Sequence, residues 1–307
     1  MRSHRPRVSH LKLSGSICAL ATPFAADGAL DLDAFARLLD HQLGGGTQGV
    51  VVAGSTGEAH MLERAEWERL LAFAVARIAG RMPVLAGCGE AGTAQTIALT
   101  RRAQALGADA ALVVTPYYVR PTQEGLRRHF LAVAENGGLP VVLYNVPSRT
   151  GCDLLPETVA ALREHPRIVA IKEARADAAR IAAVAALVRD DFAFLSGDDG
   201  TAHEAMLAGA AGVISVANNL LPQAFRALCD AARAGDRASV QRQAAALAPL
   251  LEALNYAPNP IPVKAGLAEL GIATAVLRLP LLELEHGVAR RRIAETLAAL
   301  LPRASAA

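Results

Sequence analysis

Lys172 ends an unbroken apolar run, Ile168-Val169-Ala170-Ile171, so a strand leaving a buried core would carry its amine into a low-dielectric site. Burial disfavours the charged form of a lysine, and a neutral amine is a nucleophile towards carbonyl carbon. Lys172 is therefore a candidate Schiff-base lysine, although a strand-end lysine with its ammonium in water would look the same on this segment alone. Three of the chain's four tyrosines, Tyr117, Tyr118 and Tyr144, follow similar apolar runs. A phenol suits proton transfer beside a lysine, since both groups ordinarily titrate near pH ~10. Tyrosines that only cap a rim with their hydroxyls in water fit the pattern equally well. Gly54-Ser55-Thr56-Gly57 reads as an anion seat: glycines let the backbone approach closely, and free amides and two hydroxyls can bond a small carboxylate. Arg149, within Val146-Pro147-Ser148-Arg149-Thr150-Gly151, offers a planar fork to a second carboxylate, or pairs with a surface acid.

These groups need one scaffold to bring them together. Short apolar runs rich in Val and Ile recur at Ser16-Thr22, Gly49-Ala53, Pro83-Ala86, Ala110-Val114, Val141-Asn145, Ile168-Lys172, Phe192-Ser196 and Gly212-Ser215. Helix-period stretches lie between them, among them Leu32-Leu43, Leu62-Ala79, Thr93-Leu106, Gly125-Asn136 and Ala178-Val188. Eight β-then-α units predict an α/β fold, the (β/α)8 TIM barrel, whose parallel strands are buried on both faces. A doubly wound open sheet competes, but eight units suffice to close a ring. From about Pro222 the strand signal stops, and Leu228-Ala234, Ser239-Leu254, Pro262-Leu270 and Leu282-Leu301 read as helices. The expected organisation is a mobile basic arm over 1–14, a barrel core over 15–221, and a C-terminal helical extension over 222–307 packed on the barrel. Barrels place their chemistry at the carboxyl ends of the strands. Ser55, Thr56, Glu58, Thr115, Tyr117, Tyr118, Tyr144, Arg149, Lys172, Asp198, Asp199 and Ser215 all fall there.

Composition narrows the function. Aromatics make up only 4%, against a stacking platform for nucleic acid, and a net charge of +2 gives no reason to expect a polyanionic partner. Arg2, Arg5, Arg7 and Lys12 precede the first acid, Asp27, but lack the apolar stretch of a secretory signal; an organelle-targeting reading stays open. No run approaches the ~18 apolar residues of a membrane span. Four scattered cysteines without a CxxC pair suggest reduced thiols and a cytoplasmic protein.

Three other motifs invite rival readings. Gly87-Cys88-Gly89-Glu90-Ala91-Gly92 satisfies the dinucleotide pattern, with Asp109 downstream, but it belongs to the third of eight units, where a nucleotide site would need an open sheet. Asp198-Asp199 hints at a metal, yet the eight histidines show no ligand spacing. Cys88 as a nucleophile lacks an evident histidine partner.

Taken together, Gly54-Ser55-Thr56-Gly57-Glu58, Val114-Thr115-Pro116-Tyr117-Tyr118, Tyr144-Asn145-Val146-Pro147-Ser148-Arg149-Thr150-Gly151, Ile171-Lys172-Glu173-Ala174 and Leu195-Ser196-Gly197-Asp198-Asp199 closely resemble one family. It is the 4-hydroxy-tetrahydrodipicolinate synthases (dihydrodipicolinate synthases), pyruvate-condensing enzymes of the diaminopimelate route to lysine. The similarity runs from about Gly15 to Leu270 and includes Asn259-Pro260-Ile261-Pro262-Val263-Lys264. The lysine and the Gly54–Glu58 pattern mark the wider superfamily, which includes N-acetylneuraminate lyase and the 2-keto-3-deoxy sugar acid aldolases; the Tyr144–Gly151 segment is more specific to the synthases.

The resemblance implies that Lys172 forms an imine with pyruvate, and that Tyr144 shuttles protons there and connects through Thr56 to Tyr118. In the family that last tyrosine reaches in from a neighbouring subunit, implying a homo-oligomer, at least a dimer and usually a tetramer. Ser55 and Thr56 would hold the pyruvate carboxylate, Arg149 the carboxyl end of aspartate semialdehyde, and Gly197 and the Ile214 carbonyl would line the site. No cofactor, metal, nucleic acid or membrane is implied, since the imine is itself the electron sink.

Two departures stand out. Many members have two threonines where this chain has Ser55-Thr56; the hydroxyl is kept, so function should be retained. The positions matching the lysine-feedback site hold His60, Arg64, Trp67, Ala91 and Gln95, and Ala91 and Gln95 replace an asparagine and a glutamate that grip the effector. Lysine is therefore expected to inhibit weakly or not at all. The alternative is one of the superfamily aldolases, and the fixed cation of Arg149 argues against a polyhydroxylated substrate.

Overall fold

A computed structural model describes residues 11–285 and 287–301. Its eight strands are β1 (Gly15–Ala19), β2 (Gly49–Val52), β3 (Val84–Gly87), β4 (Ala110–Val114), β5 (Val141–Asn145), β6 (Ile168–Glu173), β7 (Ala193–Ser196) and β8 (Gly212–Ser215). All pair in parallel, and β8 pairs with β1 to close the barrel. The expected (β/α)8 architecture with C-terminal helices is the one found.

Alternation along the strands sorts the side chains into two cores. Ile17, Val51, Leu85, Leu112, Val142, Tyr144, Ala170, Leu195 and Ile214 fill the barrel interior. Their neighbours Cys18, Val50, Val52, Ala86, Val113, Leu143, Ile171, Phe194 and Val213 pack outward into the larger core under the helices. This period decides where Lys172 goes: Ala170 is inside and Ile171 outside, so the next side chain on β6 points into the ring. β5 and β6 are in register at Tyr144↔Lys172 and Asn145↔Glu173, which sets the tyrosine beside the lysine.

Helices start where the sequence supplies caps. Asp31, Thr122 and Asp177 each accept a hydrogen bond from a first-turn amide, and Glu63 with Glu66 forms a capping box. After β8 come helices Pro222–Arg233, Arg237–Ala253, Ile261–Glu269 and Val288–Leu300. The first begins six residues before the expected Leu228, because Pro222 occupies its first turn, where a missing N–H costs nothing. The last begins at Val288 instead of Leu282: Leu282 is 68% exposed and Leu284 only partly buried against the core, too little packing to hold a helix there. β1 likewise stops at Ala19 instead of Thr22. There the chain leaves the ladder, with Ala21 N donating to Asn219 Oδ1 (3.0 Å) and Thr22 Oγ1 to the Gly57 carbonyl (2.7 Å).

The basic arm expected over 1–14 lies outside the described residues except for 11–14. Among the described residues no helix is long and apolar enough to cross a membrane. The glycines of Gly87–Gly92 prove to be a packing feature. A Cβ on Gly87 would lie 2.0 Å from the Ala53 carbonyl oxygen, and one on Gly89 2.5 Å from Val114 N, so adjacent strand ends could not pass.

Candidate active site

The Lys172 side chain is 5% exposed, and its Nζ lies 4.3 Å from the centroid of the Tyr144 ring, itself buried. Gly197, just after β7, makes room for it: a Cβ there would meet Lys172 Cε at 3.0 Å. Gly197 N also donates to the Glu173 carbonyl (2.7 Å), tying the β7 end to the lysine's strand. Ile214 belongs to the same interior cluster as Tyr144. An amine, a phenol and a glycine-cleared space thus meet inside the carboxyl end of the barrel.

Behind this pair, on the outward face of β5 and β6, Asn145 Nδ2 donates to both Glu173 oxygens (3.0 and 3.1 Å) and to Asp153 Oδ1 (2.8 Å). Arg175 N donates to Glu173 Oε1 (2.8 Å), and the Arg180 guanidinium lies 3.5 Å from Glu173 Oε2. Burial pushes the Glu173 carboxyl up to about 7 against those donors. The network fastens the two strand ends that carry Tyr144 and Lys172.

The Gly54–Glu58 turn follows β2. Gly57 N donates to the Gly54 carbonyl (3.0 Å) and Glu58 N to the Ser55 carbonyl (3.2 Å), while Ala53 and Glu58 bracket it at φ 52° and 54°. Thr56 is buried and Ser55 half-buried. Asn259 Nδ2 donates to Thr56 Oγ1 (3.0 Å), a bond that does not use the hydroxyl proton. The Asn259 carbonyl accepts from Arg149 Nη2 (3.0 Å), so one residue connects the Gly54–Glu58 turn to the exposed arginine. Among the described residues Asn259 Oδ1 is buried without a partner.

The other rim residues separate. Tyr118 is 91% exposed, at φ 70°, and Arg120 two residues on sits at φ 46°. No hydrogen bond joins Tyr144, Thr56 and Tyr118 among the described residues. Tyr117 turns aside instead: its hydroxyl donates to Glu90 (2.9 Å), its ring meets His60 edge-on at 4.6 Å, and burial followed by Glu90 pushes it up to about 12. A cavity of about 130 Å³ beside it is lined by His60, Arg64, Trp67 and Glu90. Asp198 Oδ2 caps Thr201, and Asp199 Oδ2 accepts the Val216 and Ala217 amides (3.0 and 2.8 Å), which makes them loop fasteners. Among the described residues no group of three or more His, Cys, Asp or Glu is placed to hold a metal ion. Cys88 is fully buried, its thiol pushed up to about 12 by desolvation, which removes it as a nucleophile.

Comparison with known proteins agrees with this geometry. The model of the dihydrodipicolinate synthetase family matches residues 12–300. The chain belongs to that family. The 4-hydroxy-tetrahydrodipicolinate synthase of Xanthomonas axonopodis pv. citri is 62% identical over 292 residues, covering 94% of this chain and 96% of that protein. The chloride-inhibited dihydrodipicolinate synthase of Acinetobacter baumannii, solved with pyruvate, superposes at a TM-score of 0.91 with 41% identity, over 94% of this chain and 98% of that one. A monomeric dihydrodipicolinate synthase variant gives the same TM-score at 38% identity, covering 93% and 96%.

Asn259 had no role in the reading of the sequence, nor had Glu58 and Lys264 as a pair. The available signal was a lysine inside the apolar stretch Ile261–Leu267, which only a buried partner makes tolerable.

Proposed function

We propose that this chain condenses pyruvate with L-aspartate 4-semialdehyde to 4-hydroxy-tetrahydrodipicolinate through an imine on Lys172. The observation that carries the reading is the buried amine beside Tyr144, with Gly197 clearing the space around it. The Lys172 amine attacks the keto carbon of pyruvate, and the resulting carbinolamine loses water to form the imine. The protonated imine draws electrons from the methyl group, which gives up a proton and becomes an enamine. Tyr144, packed against the amine, is the group in position to carry these protons. The enamine carbon attacks the aldehyde carbon of the second substrate. That substrate's own amine then displaces Lys172, closing the ring and freeing the enzyme.

The Ser55 and Thr56 donors hold the keto acid's carboxylate, and Arg149 takes the second substrate's carboxylate with a two-pronged contact. Gly197 and the Ile214 carbonyl line the imine. Tyr118, strained and exposed in one chain, completes the proton path in the site of a second copy, giving a dimer and then a dimer of dimers. The working compartment is the cytoplasm. The test is turnover with pyruvate and aspartate semialdehyde against N-acetylneuraminate and 2-keto-3-deoxy sugar acids. Faster cleavage of a sugar acid than condensation of the semialdehyde would overturn the substrate assignment.

A further inference from the structure

The C-terminal segment reaches the Gly54–Glu58 turn twice, once from the loop before helix Ile261–Glu269 and once from that helix. Asn259 holds Thr56, and Lys264, on helix Ile261–Glu269, pairs with Glu58. Both members of the pair are 1% exposed. The Lys264 ammonium also donates to the Val276 carbonyl (2.7 Å) and lies 4.2 Å from the centre of the Phe24 ring. The second Glu58 oxygen accepts from Arg278 N (3.1 Å). The Arg278 guanidinium covers Phe24 at 4.4 Å, grips Glu66 with two bonds of 2.5 Å, and donates to the carbonyls of Gly28 and Met61.

Stability alone is a poor account of so buried a pair, because packed apolar residues in its place are often as stable or more so. Backbone geometry supplies the better one. Glu58 closes the turn that carries Ser55 and Thr56, and it does so in the left-handed region, at φ 54°. A non-glycine residue stays there only when its surroundings hold it. Lys264 and Arg278 N hold its side chain from the C-terminal segment, and the Ser55 carbonyl holds its amide.

We propose that the Glu58–Lys264 pair is a positioning device that fixes the Gly54–Glu58 turn, and so aims the Ser55 and Thr56 donors at the keto acid's carboxylate. The inference rests on the pyruvate-binding role proposed for that turn. Lys264 touches no substrate; it acts through Glu58. Burial against the opposing pull of Glu58 brings Lys264 down to about 8.

The test uses the full chain with Lys264→Met and the double variant Glu58→Gln/Lys264→Met. The pyruvate concentration giving half-maximal borohydride trapping on Lys172 is read by mass spectrometry, beside KM for each substrate and Tm. Lys264→Met should raise the pyruvate half-saturation about tenfold, equivalent to about 1.4 kcal/mol. Maximal trapping at saturating pyruvate and KM for the semialdehyde should stay at their wild-type values. The double variant leaves no lone charge inside, so it folds even where the single one does not, and it should show the same raised pyruvate requirement. A double variant with wild-type pyruvate half-saturation, whatever its Tm, overturns the positioning role. A wild-type chain that pyruvate cannot trap overturns the imine reading itself and this inference with it.

Discussion

Gly197→Ala tests whether space around the amine is part of the catalyst. The added Cβ would lie 3.0 Å from Lys172 Cε, 3.1 Å from Ala174 Cβ and 3.1 Å from the Glu173 carbonyl oxygen. Carbon atoms prefer about 3.5–4.0 Å, so the lysine's terminal methylene must yield by roughly half an ångström or more. The other two contacts are the Glu173 backbone on β6 and the Cβ of Ala174 just after it, so they resist and the flexible lysine end moves. Reacting groups tolerate errors of about 0.5 Å, and a displacement near 1 Å costs about 10²-fold. The expected loss in kcat/KM is therefore about 10- to 100-fold, or about 1.4–2.7 kcal/mol at the transition state. The fold should survive, since overpacking of this size costs about 1–3 kcal/mol. The assay is steady-state turnover with the borohydride trapping rate, against Gly44→Ala, where an added Cβ meets nothing within 4 Å. Wild-type turnover and trapping in Gly197→Ala would refute the reasoning.

Other outcomes follow from the same geometry. Arg149→Ala should keep the pyruvate adduct on Lys172 yet lose condensation by about two to three orders of magnitude, the effect of losing a bidentate charge-assisted contact; unchanged turnover would remove its assigned role. Free lysine should inhibit only weakly, because Glu90 in the side cavity is already engaged by the Tyr117 hydroxyl and faces Arg64 at 3.8 Å, and an inhibition titration with a submillimolar half-effect would contradict this. His129 is buried, its Nδ1 on Thr93 Oγ1 (2.9 Å) and its Nε2 without a partner among the described residues, and desolvation pulls it down to about 4. The unfolded chain then binds the extra proton below pH ~6.5, so stability present above that pH is lost as the pH falls towards about 4, by up to roughly 3 kcal/mol. His129→Gln should flatten this loss; denaturant unfolding curves that weaken in parallel from pH 7 to pH 4 would show the buried imidazole is not its source.

Much of the scaffold was readable because a closed parallel barrel makes each strand an apolar run and each rim residue the one that follows it. That rule placed Lys172, Tyr144 and Thr56 on the rim, while Gly197 was singled out only through the family resemblance. It also grouped Tyr117 with the chemistry, where the structure commits it to Glu90; position along the chain places a residue on the rim but does not aim its side chain. Asn259 and Lys264 escaped for a different reason. Their partners Thr56 and Glu58 lie 203 and 206 residues away, and no local period reports a loop held from the far end of the chain. The false start at Leu282 came from apolar spacing in a segment where Leu282 is exposed and Leu284 packs only partly on the core.

The most direct measurement is peptide mapping by mass spectrometry after borohydride reduction of the chain in pyruvate. The account predicts one reduced pyruvyl group per chain, on Lys172, and none in Lys172→Ala. Adduct on another lysine, or none in a folded wild-type chain, would contradict it.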